Sequence, residues 1–413
     1  MSESFEPLWE LVDDHLDEAE FLWERWEASM VAPNYSMREV EIGPEGRLMA
    51  HLNALLANGM QVADRLLLPT IADIDAEPTR VRAAALALLQ TPGPAGFDAV
   101  FTELYSSPAQ RPELARALEC CELGPLYPRL GSMLAAEDAD LRYTAARVLA
   151  FHDEALDQVV PRMLTSDRSV DRMLGLRLIP RLVGTPRHTR EVMTALGSDH
   201  PDVRDVALTA GVLLDLPQAW RCAQGLANAC DPGAGQALLL LALRGDPADR
   251  AAILTAVASL RGPGLWALGF LGTVDAVDAA IPWLEDEAHA RLAGEVIAAI
   301  TGLDLEDENF VCFPPEEEAL SNHPEDDLPL PDALKLLMWW RKQRSRFAVE
   351  QRYLAGRPHD AVALRQMLCE GPMRRRPAYL LALQLGLPAN RRPQLEPMAP
   401  IRRQRRQLAG LFA

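Results

Sequence analysis

The chain lacks the features by which enzymes and membrane proteins are often detected from sequence. Aromatic residues make up only 6% of its 413 residues, and no stretch approaches 18 uninterrupted apolar residues. The motifs HExxH, GxSxG, GxxxxGKS/T and GxGxxG are all absent, so no residue is marked as catalytic or cofactor-binding. We therefore predict a protein that is not an enzyme, binds no cofactor and does not enter a membrane.

Positive charge is also scarce, because the formal net charge is −18. Contacts to phosphate dominate the affinity of proteins for nucleic acids, and an acidic chain repels those phosphates. We therefore expect no direct binding of DNA or RNA. The first residues lack the basic and apolar regions of a signal peptide, which favours a cytoplasmic location.

The cysteines and acids show no spacing typical of metal ligands. The six cysteines include no CxxC pair, and we expect them to be buried reduced thiols. Asp304, Glu306 and Glu308 alternate as in a calcium loop, but the glycine and the closing glutamate of such a loop are missing. We therefore predict no metal site.

An aliphatic residue that opens an Ala/Leu-rich stretch recurs about every 30 residues. In the clearest copies it is Leu141, Val170 or Val203, at intervals of 29 and 33 residues. Further copies are centred near Val81, Leu114, Ala234, Leu265 and Ala290. A period of this length indicates stacked helix pairs.

Apolar residues in each copy follow helical spacing, so each helix has one apolar stripe that it can bury only against a neighbour. Small residues such as Ala145, Gly175 and Ala207 should let adjacent helices approach closely. Residues 265–302 resemble the HEAT repeat. We predict an all-α fold, a HEAT-like α-solenoid of about eight helix pairs.

Charged residues near the start of the copies have a structural interpretation. Asp138, Asp167 and Asp199 precede the predicted helices and are expected to be N-caps. Arg142 and Arg204 are expected to pair with neighbouring turns. These residues therefore do not indicate a catalytic site.

The sequence divides into four parts. They are an acidic N-terminal helical cap (1–60), the repeat array (61–302), an acidic Pro-rich insertion (303–332) and C-terminal helices with an Arg-rich end (333–413). In the cap, residues 5–30 are predicted to form an amphipathic helix that covers the edge of the array. Its apolar face is predicted to contain Leu8, Val12, Ala19, Leu22 and Trp26.

The insertion is the candidate partner-binding segment, since it has many acids and no lysine or arginine. The acids that we predict to contact a basic partner are Glu306, Asp307, Glu308, Glu316, Glu317, Glu318, Glu325, Asp326 and Asp327. An equally simple interpretation is a solvated loop that lies over the array. Phe310 and Phe313 favour docking, either on the protein itself or on a partner.

From Gly371 onward the charge reverses, with nine arginines and the single acid Glu396. Such a tail could bind nucleic acid. We favour a second interpretation, in which the last helices dock on the acidic insertion or on an adjacent acidic turn of the same chain.

Several stretches resemble an uncharacterised proteobacterial family of HEAT-like proteins. They are residues 20–25, residues 47–59, the helix with Trp339 and Trp340, residues 352–358 and the Arg-rich end. Genes of that family often lie beside type VI secretion components and their toxins, so the resemblance implies an accessory role in secretion.

Three functions are compatible with this resemblance. The first is an immunity protein that neutralises a basic toxin of the nuclease type, because an acidic surface speeds and directs binding to a basic cleft. The second is an adaptor or chaperone that loads an effector onto the secretion spike. The third is a lyase or modification enzyme of the HEAT-like class. We expect the first, with a secreted toxin or effector as the protein partner, while the oligomeric state is undetermined by sequence.

Overall fold

The computed structural model describes residues 7–57, 59–182, 188–306, 309–312 and 325–412. These residues are almost entirely helical, which confirms the predicted all-α class. The chain forms two compact units. Unit 1 comprises Met1–Leu182 and Gln394–Ala413, and unit 2 comprises Val183–Pro393.

The helices are numbered in chain order. The first segment of unit 1, which ends at Leu182, contains α1 (Trp9–Ser29), α2 (Met37–Val40), α3 (Gly46–Ala57), α4 (Met60–Val62), α5 (Leu68–Ala72), α6 (Pro78–Gln90), α7 (Ala95–Ser106), α8 (Arg111–Cys120), α9 (Tyr127–Leu134), α10 (Ala139–Phe151), α11 (Leu156–Leu164) and α12 (Ser169–Leu178). Those of unit 2 are α13 (Thr189–Leu196), α14 (Pro201–Leu213), α15 (Pro217–Asn228), α16 (Gly235–Arg244), α17 (Pro247–Leu271), α18 (Val274–Ala280), α19 (Ala290–Thr301), α20 (Ala333–Gln343), α21 (Ala361–Glu370) and α22 (Arg376–Leu385). Unit 2 also contains a two-stranded hairpin, β1 (Tyr353–Leu354) and β2 (Arg357–Pro358), and α23 (Ile401–Phe412) completes unit 1.

The predicted repeat corresponds to helix pairs. Each aliphatic residue that marked a copy lies at the start of the second helix of a pair, on α6, α8, α10, α12, α14, the second half of α17 and α19, or, for Ala234, directly before α16. Within unit 1, α6, α8 and α10 pack in order, as do α14, α16, α17 and α19 within unit 2. The apolar stripes meet in these stacks, and each fully buried Leu or Val contributes about 1.5–3 kcal/mol.

Small residues lie where the stacked helices are closest. Ala145 and Ala207 are fully buried. A Cβ atom built on Gly175 would lie 3.0 Å from the side chain of Leu164 on the preceding helix. The prediction of close approach at these positions is therefore confirmed.

The predicted roles of the charged repeat residues are confirmed in part. The carboxylate of Asp138 accepts hydrogen bonds from two backbone amides at the start of α10. Arg142 donates to the carbonyls of the preceding turn, and Arg204 pairs with a carboxylate of the turn before α16. The prediction was wrong for Asp167 and Asp199, because α12 and α14 begin one residue later than expected and neither side chain caps its helix.

Helix α1 covers the edge of unit 1 by packing against α3 and α6. Its buried face contains Val12, Leu16, Ala19, Leu22, Trp23 and Trp26. The predicted face was wrong at Leu8, which precedes the helix and is exposed. Helix α3 ends at Ala57 and Gly59 has a φ of +70°, as expected for a glycine at a chain reversal.

The C-terminal segment belongs to unit 1, whereas the sequence grouped it with the other residues after 332. The buried carboxylate of Glu45 accepts hydrogen bonds from the backbone amide of Ile401 at 2.8 and 2.9 Å and from Trp26 Nε1 at 3.0 Å. Burial raises the pKa of Glu45. This carboxylate therefore joins α1 to the start of α23, although Glu45 and Ile401 lie 356 residues apart in the chain.

The hairpin of unit 2 binds the C-terminal ends of three helices. Arg352 donates to the carbonyls of Ala242 on α16 at 2.7 Å and of Phe270 and Leu271 on α17 at 2.8 and 2.9 Å. The backbone amide of Ala355 donates to a carbonyl of the last turn of α19. The last carbonyls of a helix have no partner within it and carry partial negative charge, so the hairpin stabilises three helix ends at once. The segment 352–358, which carried part of the family resemblance, thus has a structural role.

One described helix, α17, is long and apolar enough by composition to cross a membrane. Its backbone breaks at Arg261, where φ is 31°. Each half is shorter than the about 20 residues that a bilayer requires. The two halves form one of the helix pairs of unit 2.

Candidate functional site

The acidic insertion is described only near its two ends. Glu306, Asp326 and Asp327 are exposed. Asp307, Glu308, Glu316, Glu317 and Glu318 lie outside the described residues. The two ends are held together, since Val311 and Pro331 form an antiparallel bridge and the amide of Asp332 donates to the carbonyl of Phe310.

The ends of the insertion also dock on unit 2. Phe310 packs against Trp339, with their ring centroids 6.2 Å apart. Trp340, on the next position of the same helix, is buried and donates to Asp278. Docking of Phe310 was predicted. Phe313 lies outside the described residues.

Glu325 contacts the Arg-rich C-terminal region. Its carboxylate lies 3.2 Å from a guanidinium nitrogen of Arg374, and the side chain of Glu325 is only 14% exposed. Arg374 and Arg375 also contact the buried carboxylate of Glu295, at 3.4 and 3.2 Å. The predicted docking of basic residues on the insertion is therefore present, and it leaves Glu325 less accessible to a partner than its neighbours Asp326 and Asp327.

Arginines of unit 1 likewise pair with acids of unit 1. Arg405 contacts Glu41 at 2.6 Å, and Arg406 contacts Glu122 at 2.7 Å. Arg403 donates to the carbonyl of Phe151 at 2.7 Å. Among the described residues, these arginines of the basic end are thus partly neutralised by intramolecular contacts.

Unit 1 also contains a second network of paired charges, which lines a cavity of about 600 Å³. Glu27 lies 2.7 Å from Arg116, which also contacts Glu119 at 3.1 Å. Arg147 reaches the same Glu119 at 2.6 Å, and Arg82 reaches Glu27. Because these charges already compensate one another, the network stabilises the stack and offers little net charge to a ligand.

The outer face of α1 is different, because its acids form no ion pair within the part of the chain that the structure describes. We use this name for Glu10, Leu11, Asp13, Asp14, Glu18, Phe21 and Glu24, which are all exposed. None of its five acids forms an ion pair with any described residue. They point away from Val12, Leu16 and the other buried residues because they lie on the opposite side of the helix.

Phe21 is at the centre of this face. Its ring is 55% exposed, and Leu11 near the start of the helix is 53% exposed. The residues three and four positions away from Phe21 are Asp17, Glu18, Glu24 and Arg25, so its helical neighbours are mainly acids. An exposed aromatic ring within a rim of charges is typical of a protein-binding surface.

From the sequence, the acidic N-terminal helix was predicted only to act as a cap. The available signal was the position of Leu11 and Phe21, which fall outside the apolar stripe formed by Val12, Leu16 and Leu22. Whether such residues are exposed depends on which elements pack around the helix. Composition alone therefore favoured the insertion, and not α1, as the partner-binding segment.

Cys120, Cys121 and His152 lie close together, but none of them is an activated group. Burial raises the pKa values of the Cys120 and Cys121 thiols to about 12, so both stay protonated at neutral pH. His152 nearby uses both ring nitrogens, since Nδ1 accepts from Arg403 at 2.9 Å and Nε2 donates to the carbonyl of Leu118 at 3.0 Å. No group of three potential metal ligands occurs among the described residues.

Comparisons with known proteins assign no family. No family model matches the chain, and no curated protein matches it significantly. The chain is similar to an engineered protein solved by a structural genomics consortium, with 15% identity over 90% of this chain and 99% of that chain. The TM-score of that match is 0.30, so it carries no argument about fold or function.

Proposed function

We propose that this chain is a protein-binding helical-repeat module whose partner has a basic surface. The observation that supports this function is the outer face of α1, where five acids that form no ion pair among the described residues lie around the exposed side chain of Phe21. The apolar ring would supply contact area at the centre of an interface, and the acids would form its polar rim.

The charge of the chain indicates which kind of partner surface it binds. Exposed acids attract a basic surface during diffusion and raise the association rate. The net charge of −18 acts in the same direction. A secreted nuclease has a basic cleft because it binds phosphates. We therefore propose that the chain is an immunity protein that neutralises such a toxin in the type VI secretion context, with the exposed acids of the insertion, such as Asp326 and Asp327, as a second contact region.

The proposal can be tested by co-purification with each toxin-like protein encoded beside the gene, followed by a nuclease assay on the complex. An immunity protein forms a stable complex and abolishes nuclease activity. A stable complex with full activity would instead support an adaptor that loads an effector. No complex with any of these proteins would contradict both functions.

The role of α1 is tested by neutralising its acids together, as Asp13→Asn, Asp14→Asn, Glu18→Gln and Glu24→Gln. We expect the association rate at low salt to fall about 10-fold or more and its salt dependence to flatten, since steering contributes one to three orders of magnitude.

A matched control changes the net charge equally at four other exposed acids. These are Asp199→Asn, Asp202→Asn, Glu285→Gln and Glu287→Gln, which form no ion pair among the described residues. If the control slows association as much as the α1 variant, only the net charge matters and α1 is not the site. A third variant that neutralises Glu306, Asp307, Glu308, Glu316, Glu317 and Glu318 measures the contribution of the insertion.

A further inference from the structure

The outer face of α20 is an apolar and basic surface on unit 2. Leu334 and Met338 lie one turn apart and are 69% and 59% exposed. Arg341 and Lys342 follow on the same side of the helix and are exposed. Neither forms an ion pair or hydrogen bond with any described residue. Lys335, also on this side, contacts Asp332 at 3.4 Å but remains half exposed.

The opposite side of α20 packs against the rest of unit 2. Trp340 is buried, and its indole nitrogen donates to Asp278 at 2.8 Å. Arg344, just after the helix, forms a bidentate contact with the same carboxylate. The exposed side therefore belongs to a fixed helix, and its orientation does not depend on a partner.

The charge pattern of this face is the complement of the pattern on α1. On α20, Lys335, Met338 and Arg341 follow one another at intervals of three residues. On α1, Glu18, Phe21 and Glu24 have the same intervals. Each triplet spans about 9 Å of helix, because the rise is about 1.5 Å per residue. When Phe21 lies against Met338, each acid of one triplet faces a cation of the other.

An antiparallel arrangement places Glu24 beside Lys335 and Glu18 beside Arg341, and it also aligns the two helix dipoles favourably. Asp17 would then lie near Lys342. The apolar centre consists of Phe21 and Met338. We propose that the outer face of α20 binds the outer face of α1 of a second copy of this chain.

An anionic membrane is a weaker candidate for the same face. The chain as a whole carries a net charge of −18, which a negatively charged bilayer repels. Helix α20 is also only 11 residues long. A second copy supplies the acids and the exposed aromatic ring at matching intervals, which a lipid surface does not.

One such helix contact is small compared with the about 1,200–2,000 Å² that stable complexes bury. If two copies are related by a two-fold axis, the contact forms twice and the assembly is a closed dimer. If each pair of copies forms the contact once, further copies can add and the assembly is an open chain of copies. We expect the association to be weak and reversible, and to weaken further on addition of salt because the contact depends on exposed charges.

This proposal does not rest on the proposed function, although both use the outer face of α1. If both hold, the toxin and the second copy compete for that face. Self-association is measured on the chain alone, so its failure leaves the toxin experiment unaffected.

Sedimentation velocity from about 1 to 200 μM, at low and high salt, provides the test. One variant reverses the acids of α1 (Glu18→Arg, Glu24→Arg), and a second reverses the cations of α20 (Lys335→Glu, Arg341→Glu). We expect the wild type to associate and each variant alone to remain monomeric. An equimolar mixture of the two variants should associate again, because the reversed charges are then complementary.

Controls distinguish this contact from a general effect of charge. The variant Glu285→Arg, Glu287→Arg matches the charge change of the α1 variant and should associate like the wild type. Wild-type chain that stays monomeric at 200 μM in low salt would overturn the proposal. So would a mixture of the two variants that fails to associate, provided that circular dichroism shows both to be folded.

Chemical crosslinking identifies the contacting residues directly. The chain has only two lysines, Lys335 and Lys342, and both are on α20. A carbodiimide joins a lysine amine to a carboxylate with loss of water, without a spacer. In an equimolar mixture of ¹⁴N- and ¹⁵N-labelled chains, we expect mixed-isotope crosslinks from these lysines to Asp17 or Glu24. Crosslinks only to other acids would contradict the proposed surface, as would binding of the monomeric chain to phosphatidylserine vesicles through Arg341 and Lys342.

Discussion

Replacing Arg352 with alanine should remove the hydrogen bonds that hold the C-terminal ends of α16 and α17 and should destabilise both ends. In the native chain its guanidinium donates to the carbonyls of Ala242, Phe270 and Leu271 at 2.7 to 2.9 Å. A Cβ atom built on Gly245 would lie within 2.8 Å of three guanidinium atoms. The side chain thus fills a narrow space between two helix ends, and alanine would leave both the space and the carbonyls unoccupied.

The expected decrease in the free energy of unfolding is the difference between the cost of carbonyls left without donors and the cost of burying the guanidinium. Each buried carbonyl that loses its donor costs about 1–3 kcal/mol, so three such carbonyls would cost several kcal/mol if water did not enter. Against this, burial and the nearby Arg250 lower the pKa of Arg352 to about 10, which shows that holding the cation there has its own cost. We expect Arg352→Ala to lower the free energy of unfolding of unit 2 by about 3 kcal/mol.

Hydrogen exchange and urea denaturation measure this effect. Exchange should accelerate at the last turns of α16 and α17, around residues 242–245 and 268–272. Arg352→Lys should recover only part of the loss, because a single ammonium group cannot reach both helix ends as a guanidinium does.

Arg221 provides a matched control, since it is exposed and has no partner among the described residues. Arg221→Ala should change the free energy of unfolding by less than about 0.5 kcal/mol. The reasoning would be refuted if Arg352→Ala left exchange at both helix ends as slow as in the wild type. Equal effects of Arg352→Ala and Arg221→Ala would refute it as well.

Two further predictions concern acid and packing. Burial lowers the pKa of His152 to about 4, below its unfolded value of about 6.5, so the free energy of unfolding of unit 1 should fall by about 2.5 kcal/mol as pH falls from 6.5 to 4. In pH-dependent urea melts His152→Gln should flatten this loss, and an unchanged slope would contradict the assignment. Gly211→Ala should destabilise unit 2 by about 1–3 kcal/mol, because its Cβ would lie 2.6 Å from Ala219 Cβ. Gly225→Ala, which meets nothing within 4 Å, should stabilise by about 0.5–1 kcal/mol, and thermal melts that show equal shifts would refute the packing argument.

The repeat was predictable because it is a local property. Leu141, Val170 and Val203 recur at nearly constant intervals, and a stripe of apolar residues on a short helix has to be buried against a neighbour. The positions of the helix starts follow from the same pattern, apart from one-residue shifts such as those that made the cap predictions for Asp167 and Asp199 wrong.

The candidate surfaces depended on contacts that local patterns do not contain. In the sequence Glu325 cannot be distinguished from Asp326, whereas in the structure its side chain is 14% exposed and contacts Arg374. Phe21 could be identified as an outlier from its helical position, but its exposure follows from what packs around α1. The exposed side of α20 likewise became evident only when Trp340 was placed in the core.

Composition, period and charge thus determined the helical class, the pairing of helices and the acidic character of the chain, because these properties arise from residues close together in sequence. Tertiary structure decided that α23 joins unit 1 through Glu45. It also decided that Arg352 and the hairpin bind the C-terminal ends of three helices. These contacts join residues far apart in the chain. They depend on hydrogen-bond geometry and burial, which the order of residues does not reveal until the helices are packed.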